Sequence, residues 1–166
     1  TFIYLTNHFT ERRLPVPHIL AVDDDELRYL QTDLGSTSLF DVLRGGRESG
    51  GRYNIREKQL LTAVIRELPN IQIRGARGLD WQGCYPQPEF DVDSVLFDLN
   101  YFKYCFLKAT ELEFHELKLE ANFRLFAKDL TSEKSESFLY RDFQARNVML
   151  DSNGKPYFID YQGGRK

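Results

Sequence analysis

The sequence predicts an α+β fold, and three observations carry the prediction. Several stretches repeat apolar residues at helical spacing, two pairs of short apolar runs flank turn-forming residues as β-hairpins do, and no internal repeat or low-complexity tract organises the 166 residues. The length is about that of one domain, and 42% hydrophobic with 28% charged residues is the composition of a globular chain with a real core.

Residues 1–11 place Phe2, Ile3, Leu5 and Phe9 in a helix-like pattern. Leu14-Pro15-Val16-Pro17 then forces an extended connection, because each proline fixes its own φ and biases its predecessor away from the helical region. Ile19–Val22 and Leu27–Gln31 are β-prone runs around Asp23-Asp24-Asp25-Glu26. That acidic cluster reads as a solvated hairpin turn and not a metal site, since adjacent side chains on extended backbone diverge. Leu39–Leu43 reads as a short helix that Gly45-Gly46 should stop, and Arg47–Tyr53 is a Gly-rich connector without the spacing of a phosphate cradle. Asn54 with Glu57 makes a capping box, after which Leu60, Leu61, Val64, Ile65 and Leu68 hold one helical face as far as Pro69. Residues 70–92, with Gly75, Gly78, Gly83, Pro86 and Pro88, read as a long loop. Val95, Leu99, Phe102 and Phe106 mark a helix over 94–109, and Leu112, Leu119, Phe123, Phe126 and Leu130 mark another; both stripes are expected in the core. Lys128–Ser137 is a polar linker, and Val148-Met149-Leu150 with Tyr157-Phe158-Ile159 flank Asp151-Ser152-Asn153-Gly154 as a second hairpin.

Twenty-two basic against 25 acidic side chains leave a formal charge of −3, so no electrostatic footprint for nucleic acid or an anionic membrane stands out. Small molecules are the expected partners. No apolar run approaches the ~20 residues that cross a bilayer and no secretory pattern opens the chain, so a cytoplasmic protein is expected. Cys84 and Cys105 read as reduced thiols, and His8, His18 and His115 share no ligand spacing.

The chemistry concentrates in Tyr140-Arg141-Asp142-Phe143-Gln144-Ala145-Arg146-Asn147, followed by the second hairpin and Ile159-Asp160-Tyr161-Gln162. Phosphoryl transfer needs a carboxylate at the acceptor hydroxyl and hard oxygen ligands for Mg²⁺ at the phosphates, and a loop feeding a tight hairpin can converge all three from one short segment. An Asp, an Asn five residues on, and a second Asp closing the hairpin resemble the catalytic loop and metal-binding strand of the protein-kinase-like fold. Tyr140 stands where protein kinases have His, and Tyr161-Gln162 where they have Phe-Gly. The wording is instead similar to the aminoglycoside phosphotransferase and choline kinase superfamily, closest to bacterial kinases of the cell-wall amino sugars N-acetylmuramate and N-acetylglucosamine.

That resemblance spans the chain and implies a partial protein-kinase-like fold. Residues 1–34 would be the end of an N-lobe and residues 35–166 a helical C-lobe with the catalytic hairpin. Asp142 would orient or deprotonate the acceptor hydroxyl, Asn147 and Asp160 would hold Mg²⁺, and Thr32, Asp33 and Leu34 would form the hinge that pairs with the adenine of ATP. Arg141, Gln144 and Gln162 would support the loop, while Asp98 and Asn100 could reach an acceptor or serve an exposed or capping role. The phosphate-covering loop, the strand lysine and the later C-lobe helices of the family are not in these 166 residues, so the resemblance implies a central portion of such a kinase, inactive alone, with apolar surface that self-association could cover. The alternative is a kinase-like binding or regulatory module without transfer. The joint presence of Asp142, Asn147 and Asp160 favours transfer.

Overall fold

A computed structural model of the chain describes residues 1–133 and 135–166. The architecture is α+β. Helix α1 (Phe2–Glu11) precedes an antiparallel hairpin of β1 (Ile19–Val22) and β2 (Tyr29–Gln31); then come α2 (Leu39–Val42), α3 (Arg44–Glu48), α4 (Ile55–Pro69), α5 (Val92–Phe102), α6 (Glu116–Leu130) and a second antiparallel hairpin of β3 (Val148–Leu150) and β4 (Pro156–Phe158). The chain forms two compact units, one of residues 1–88 with 136–166 and one of residues 89–135. The boundary expected between residues 34 and 35 falls inside the first unit, where α1 and residues 138–161 share a core.

That core is built from the two ends of the chain. Leu5, Phe9, Leu14 and Val16 meet Leu39, Leu43, Val64 and Ile71, and Phe138, Tyr140, Val148, Leu150, Phe158 and Tyr161 complete it. Phe9 lies edge-on to Phe138 at 5.1 Å and to Tyr161 at 5.2 Å, an arrangement aromatic quadrupoles favour. Backbone bonds cross-link the same segments: the Phe158 N–H donates to the Pro15 carbonyl, Phe138 to Gln72, and Leu150 to Thr37. The β3–β4 register pairs Val148 with Phe158 and Leu150 with Pro156, so these four point into the core while Met149 and Tyr157 face outward. Its turn is closed by Asp151, whose Oδ1 accepts the N–H groups of Asn153 and Lys155, and by Gly154 at φ +80°, a conformation that favours glycine.

Local signals place several elements where the sequence puts them. Asn54 and Glu57 form a reciprocal capping box on α4, and Ser38 caps α2 by accepting the Asp41 N–H. Three readings need correction. Gly45-Gly46 does not stop the helical path: it lies inside α3, because the Glu57 carboxylate accepts the Gly46 N–H at 2.9 Å and the Tyr53 ring occupies the space a side chain there would need. Pro69 does not end α4 cleanly; lacking an N–H, it gives way to a wider π turn over Asn70–Arg74, so the loop begins only after that turn. On α4, Val64 is buried but Ile65 is exposed.

The 89–135 unit pairs α5 with α6. Val95, Phe123 and Ala127 are buried, but Phe97, Phe102, Phe106, Leu112, Phe126 and Leu130 are exposed, so the two stripes are only partly core. At the end of α5, Lys103–Leu107 widens into a π turn, which shifts the helical phase from there on, and Lys103 is buried against Glu116 and Glu120. Of the linker expected over Lys128–Ser137, Lys128–Leu130 belong to α6 and residue 134 lies outside the described residues.

Candidate active site

The segment between Phe138 and β3 has no long regular structure, so each residue is held by individual bonds. The Asp142 N–H donates to the Tyr140 carbonyl at 3.0 Å, Gln144 N–H to the Asp142 carbonyl at 2.9 Å and Asn147 N–H to the Gln144 carbonyl at 2.9 Å, winding the loop into a short 3₁₀ turn that ends at Asn147. The Asn147 side chain is 8% exposed and its amide nitrogen donates twice, to the Asp142 carbonyl at 3.0 Å and to Asp160 Oδ2 at 3.0 Å. Residues 142, 147 and 160 are thereby joined in one hydrogen-bonded cluster. Gln162 Nε2 donates to the other oxygen, Asp160 Oδ1, so the Asp160 carboxylate is gripped by two neutral amides. The Ile159 N–H closes the frame on the Asn147 carbonyl at 3.0 Å.

Asp142 is exposed, and its Oδ2 lies beside Gly163, 3.6 Å from where a Cβ at that position would stand. Both ends of the cluster sit in left-handed backbone, Arg141 at φ +70° and Asp160 at φ +64°. Each such non-glycine residue costs of order 1 kcal/mol, which the surrounding bonds must offset, and strain of this kind concentrates at functional sites. Past Asp160 the chain returns to the segment before Asp142: Leu139 and Arg165 exchange backbone bonds at 2.7 and 3.2 Å, and Gly164 packs where any Cβ would strike the Phe138 ring.

Two tyrosines that the motif comparison treated only as departures hold the site in place. The buried Tyr140 hydroxyl donates to the Ile159 carbonyl, which joins the loop to the segment after β4 that carries Asp160. Burial, helped by the nearby Tyr161, Asp160 and Asp142, raises its pKa far above the ordinary phenol range, so it remains a neutral donor. Tyr161 is fully buried; its hydroxyl donates to Thr6 Oγ1 at 2.7 Å, since the Thr6 hydroxyl is itself spent on the Phe2 carbonyl, and its ring stacks on Phe2. Burial pushes its pKa up to about 12. Their signal in the sequence was position alone, one tyrosine two residues before Asp142 and the other directly after Asp160.

Thr32, Asp33 and Leu34 line a cleft of about 360 Å³ with His18, Asp151, Ser152 and Tyr157. The Thr32 N–H donates to the His18 carbonyl, whereas among the described residues no backbone bond engages Asp33 or Leu34. Gln144 is exposed and joins the loop through its backbone. Asp98 and Asn100 lie on α5 in the other unit, and the Asn100 amide donates to the Leu96 carbonyl within the helix.

Among the described residues no group of three or more His, Cys, Asp or Glu is placed to hold a metal ion. The oxygens suited to a hard cation here are those of Asp160 and Oδ1 of Asn147, the latter left over once both amide hydrogens are spent. No helix among the described residues is long and apolar enough to cross a membrane. No protein-family model matches the chain, and no curated protein matches it.

Proposed function

We propose that this chain carries the acceptor and metal side of an ATP-dependent phosphotransferase of protein-kinase-like fold, which passes the γ-phosphate of ATP to a hydroxyl of a small molecule, an amino sugar first among the candidates. One observation carries the reading: the Asn147 amide links the Asp142 carbonyl to the Asp160 carboxylate at 3.0 Å each, so the three motif residues form one cluster. Catalysis of phosphoryl transfer is almost entirely positioning and electrostatics, and a cluster held by this many bonds is pre-organised for both.

In this reading the exposed Asp142 carboxylate accepts a hydrogen bond from the acceptor hydroxyl and then its proton. Asp160 and Asn147 would hold Mg²⁺, which when bound would neutralise charge on the nucleotide's phosphate oxygens. Gln162 fixes the Asp160 carboxylate, Tyr140 ties the loop to Ile159 just past β4, and Tyr161 ties the same segment to α1. The main chain of Asp33 and Leu34 supplies the donor and acceptor for an adenine edge, which leaves their side chains free to vary.

The test is equilibrium binding of ATP to the full-length protein with and without Mg²⁺. Binding should depend on Mg²⁺, and Asp160→Asn and Asn147→Ala should each weaken it about tenfold or more; affinity indifferent to the metal and to both substitutions contradicts the reading. Tight Mg-ATP binding without ADP release on any acceptor would select the non-transferring module.

A further inference from the structure

Apart from the candidate active site, the first unit carries a concentration of positive charge that the phosphotransferase reading does not use. Arg12, Arg13, Arg74 and Arg77 line a cleft of about 330 Å³ at the C-terminal end of α1, with Glu11 the one acid among the lining residues. Four guanidinium groups against one carboxylate is a local excess of three positive charges in a chain whose formal charge is −3.

Two of the arginines are built into the backbone. Arg12 Nε donates to the Arg77 carbonyl at 2.7 Å and its Nη1 to the His8 carbonyl at 3.1 Å, while Arg74 Nη2 donates to the Arg12 carbonyl at 2.8 Å. These bonds close the end of α1 onto the 74–77 turn and complement the helix dipole there. Glu11 is mostly exposed and lies 3.6 Å from Arg12. Arg13 and Arg77 make no side-chain hydrogen bond or ion pair among the described residues, so two complete guanidinium forks are left beside two anchored ones. Arg13 is carried on left-handed backbone at φ +54°, and Gly78, at φ +65°, lets the Arg12 guanidinium come within 3.1 Å of where a Cβ would stand. Like charges gathered in this way repel one another, and an anion that bridges them removes the penalty.

We infer that this arginine cleft binds a small phosphate-bearing anion with at least two phosphate groups. Planar guanidinium forks match phosphate oxygens bidentately, the volume admits a diphosphate moiety and not a folded partner, and the excess of three charges suits a ligand of about that opposite charge. The inference does not depend on the reading of Asp142 and Asp160.

Calorimetric titration of the full-length protein with inorganic pyrophosphate, without Mg²⁺, tests it. Arg13→Ala/Arg77→Ala should weaken binding tenfold or more and flatten its salt dependence, whereas Asp160→Asn, at the other site, should leave it unchanged. Arg13→Gln alone, which leaves the backbone anchors of Arg12 and Arg74 in place, should weaken binding severalfold, so the test survives if the double variant fails to fold. No binding by the wild type, equal binding by the arginine variants, loss on Asp160→Asn, or equal affinity for citrate would each overturn the inference.

Discussion

Asn147 has both amide hydrogens committed inside the site, one of them to a carboxylate, so its loss leaves two acceptors without their partner. Asn147→Ala should cost about 2–3 kcal/mol of stability in urea denaturation, at the upper end for hydrogen bonds with a charged member. Tyr140→Phe keeps the ring in the core but strands the Ile159 carbonyl, and should cost about 1–2 kcal/mol in the same experiment. His8 gives a pH dependence of known sign. It is buried, its Nε2 donates to the Gly75 carbonyl, and burial lowers its pKa below the ordinary 6.5. The unfolded chain therefore takes up the proton first, so stability is full above pH 6.5 and falls as the pH drops below it. Urea midpoints between pH 7.5 and 5 should fall for the wild type and fall less for His8→Gln. At this scale the motif carboxylates and Asn147 were legible because their spacing is local. Tyr140 was not, because its role is a bond to a carbonyl nineteen residues away.

Glu57 shows what local reading captures in an element and what it misses. Its Oε2 completes the capping box on Asn54, which the three-residue spacing announced, but its Oε1 also accepts the Gly46 N–H and so extends helical structure through two glycines. Asn54→Ala removes only the cap and should cost about 1 kcal/mol, whereas Glu57→Ala removes the cap and strands a buried N–H, and should cost about 2–3 kcal/mol. Thermal unfolding of the two variants side by side reads the difference. Helix periodicity misled at α5 for a related reason: Lys103 finds Glu116 and Glu120 across the helix pair, and the π turn over Lys103–Leu107 breaks the 3.6-residue phase that the stripe through Phe106 assumed. Such partners lie outside any window that a periodicity argument scans.

At the scale of the whole molecule, the first unit unites residues from both ends of the chain, so the candidate site and the α1 helix share one core. The α+β class was legible from the two turn signals and the helical stretches, but the closure of this core was not, because it rests on Tyr161 packing on Phe2 and Phe9, contacts more than 150 residues apart in sequence. The single tryptophan, Trp81, packs against that core and reports on this unit. Mg-ATP at a hundredfold excess over its Kd should raise the unfolding free energy seen by Trp81 fluorescence by about 2.7 kcal/mol, and no shift would mean that the unit does not bind the nucleotide. The most direct measurement is ADP release by the full-length protein with Mg-ATP and a panel of N-acetylated amino sugars, aminoglycosides and choline, with Asp142→Asn in parallel. Acceptor-dependent ADP release that falls about 10²- to 10⁴-fold in the variant is the predicted result. Release that persists undiminished in Asp142→Asn, or none with any acceptor, would contradict the assignment of Asp142 as the base of a phosphotransferase.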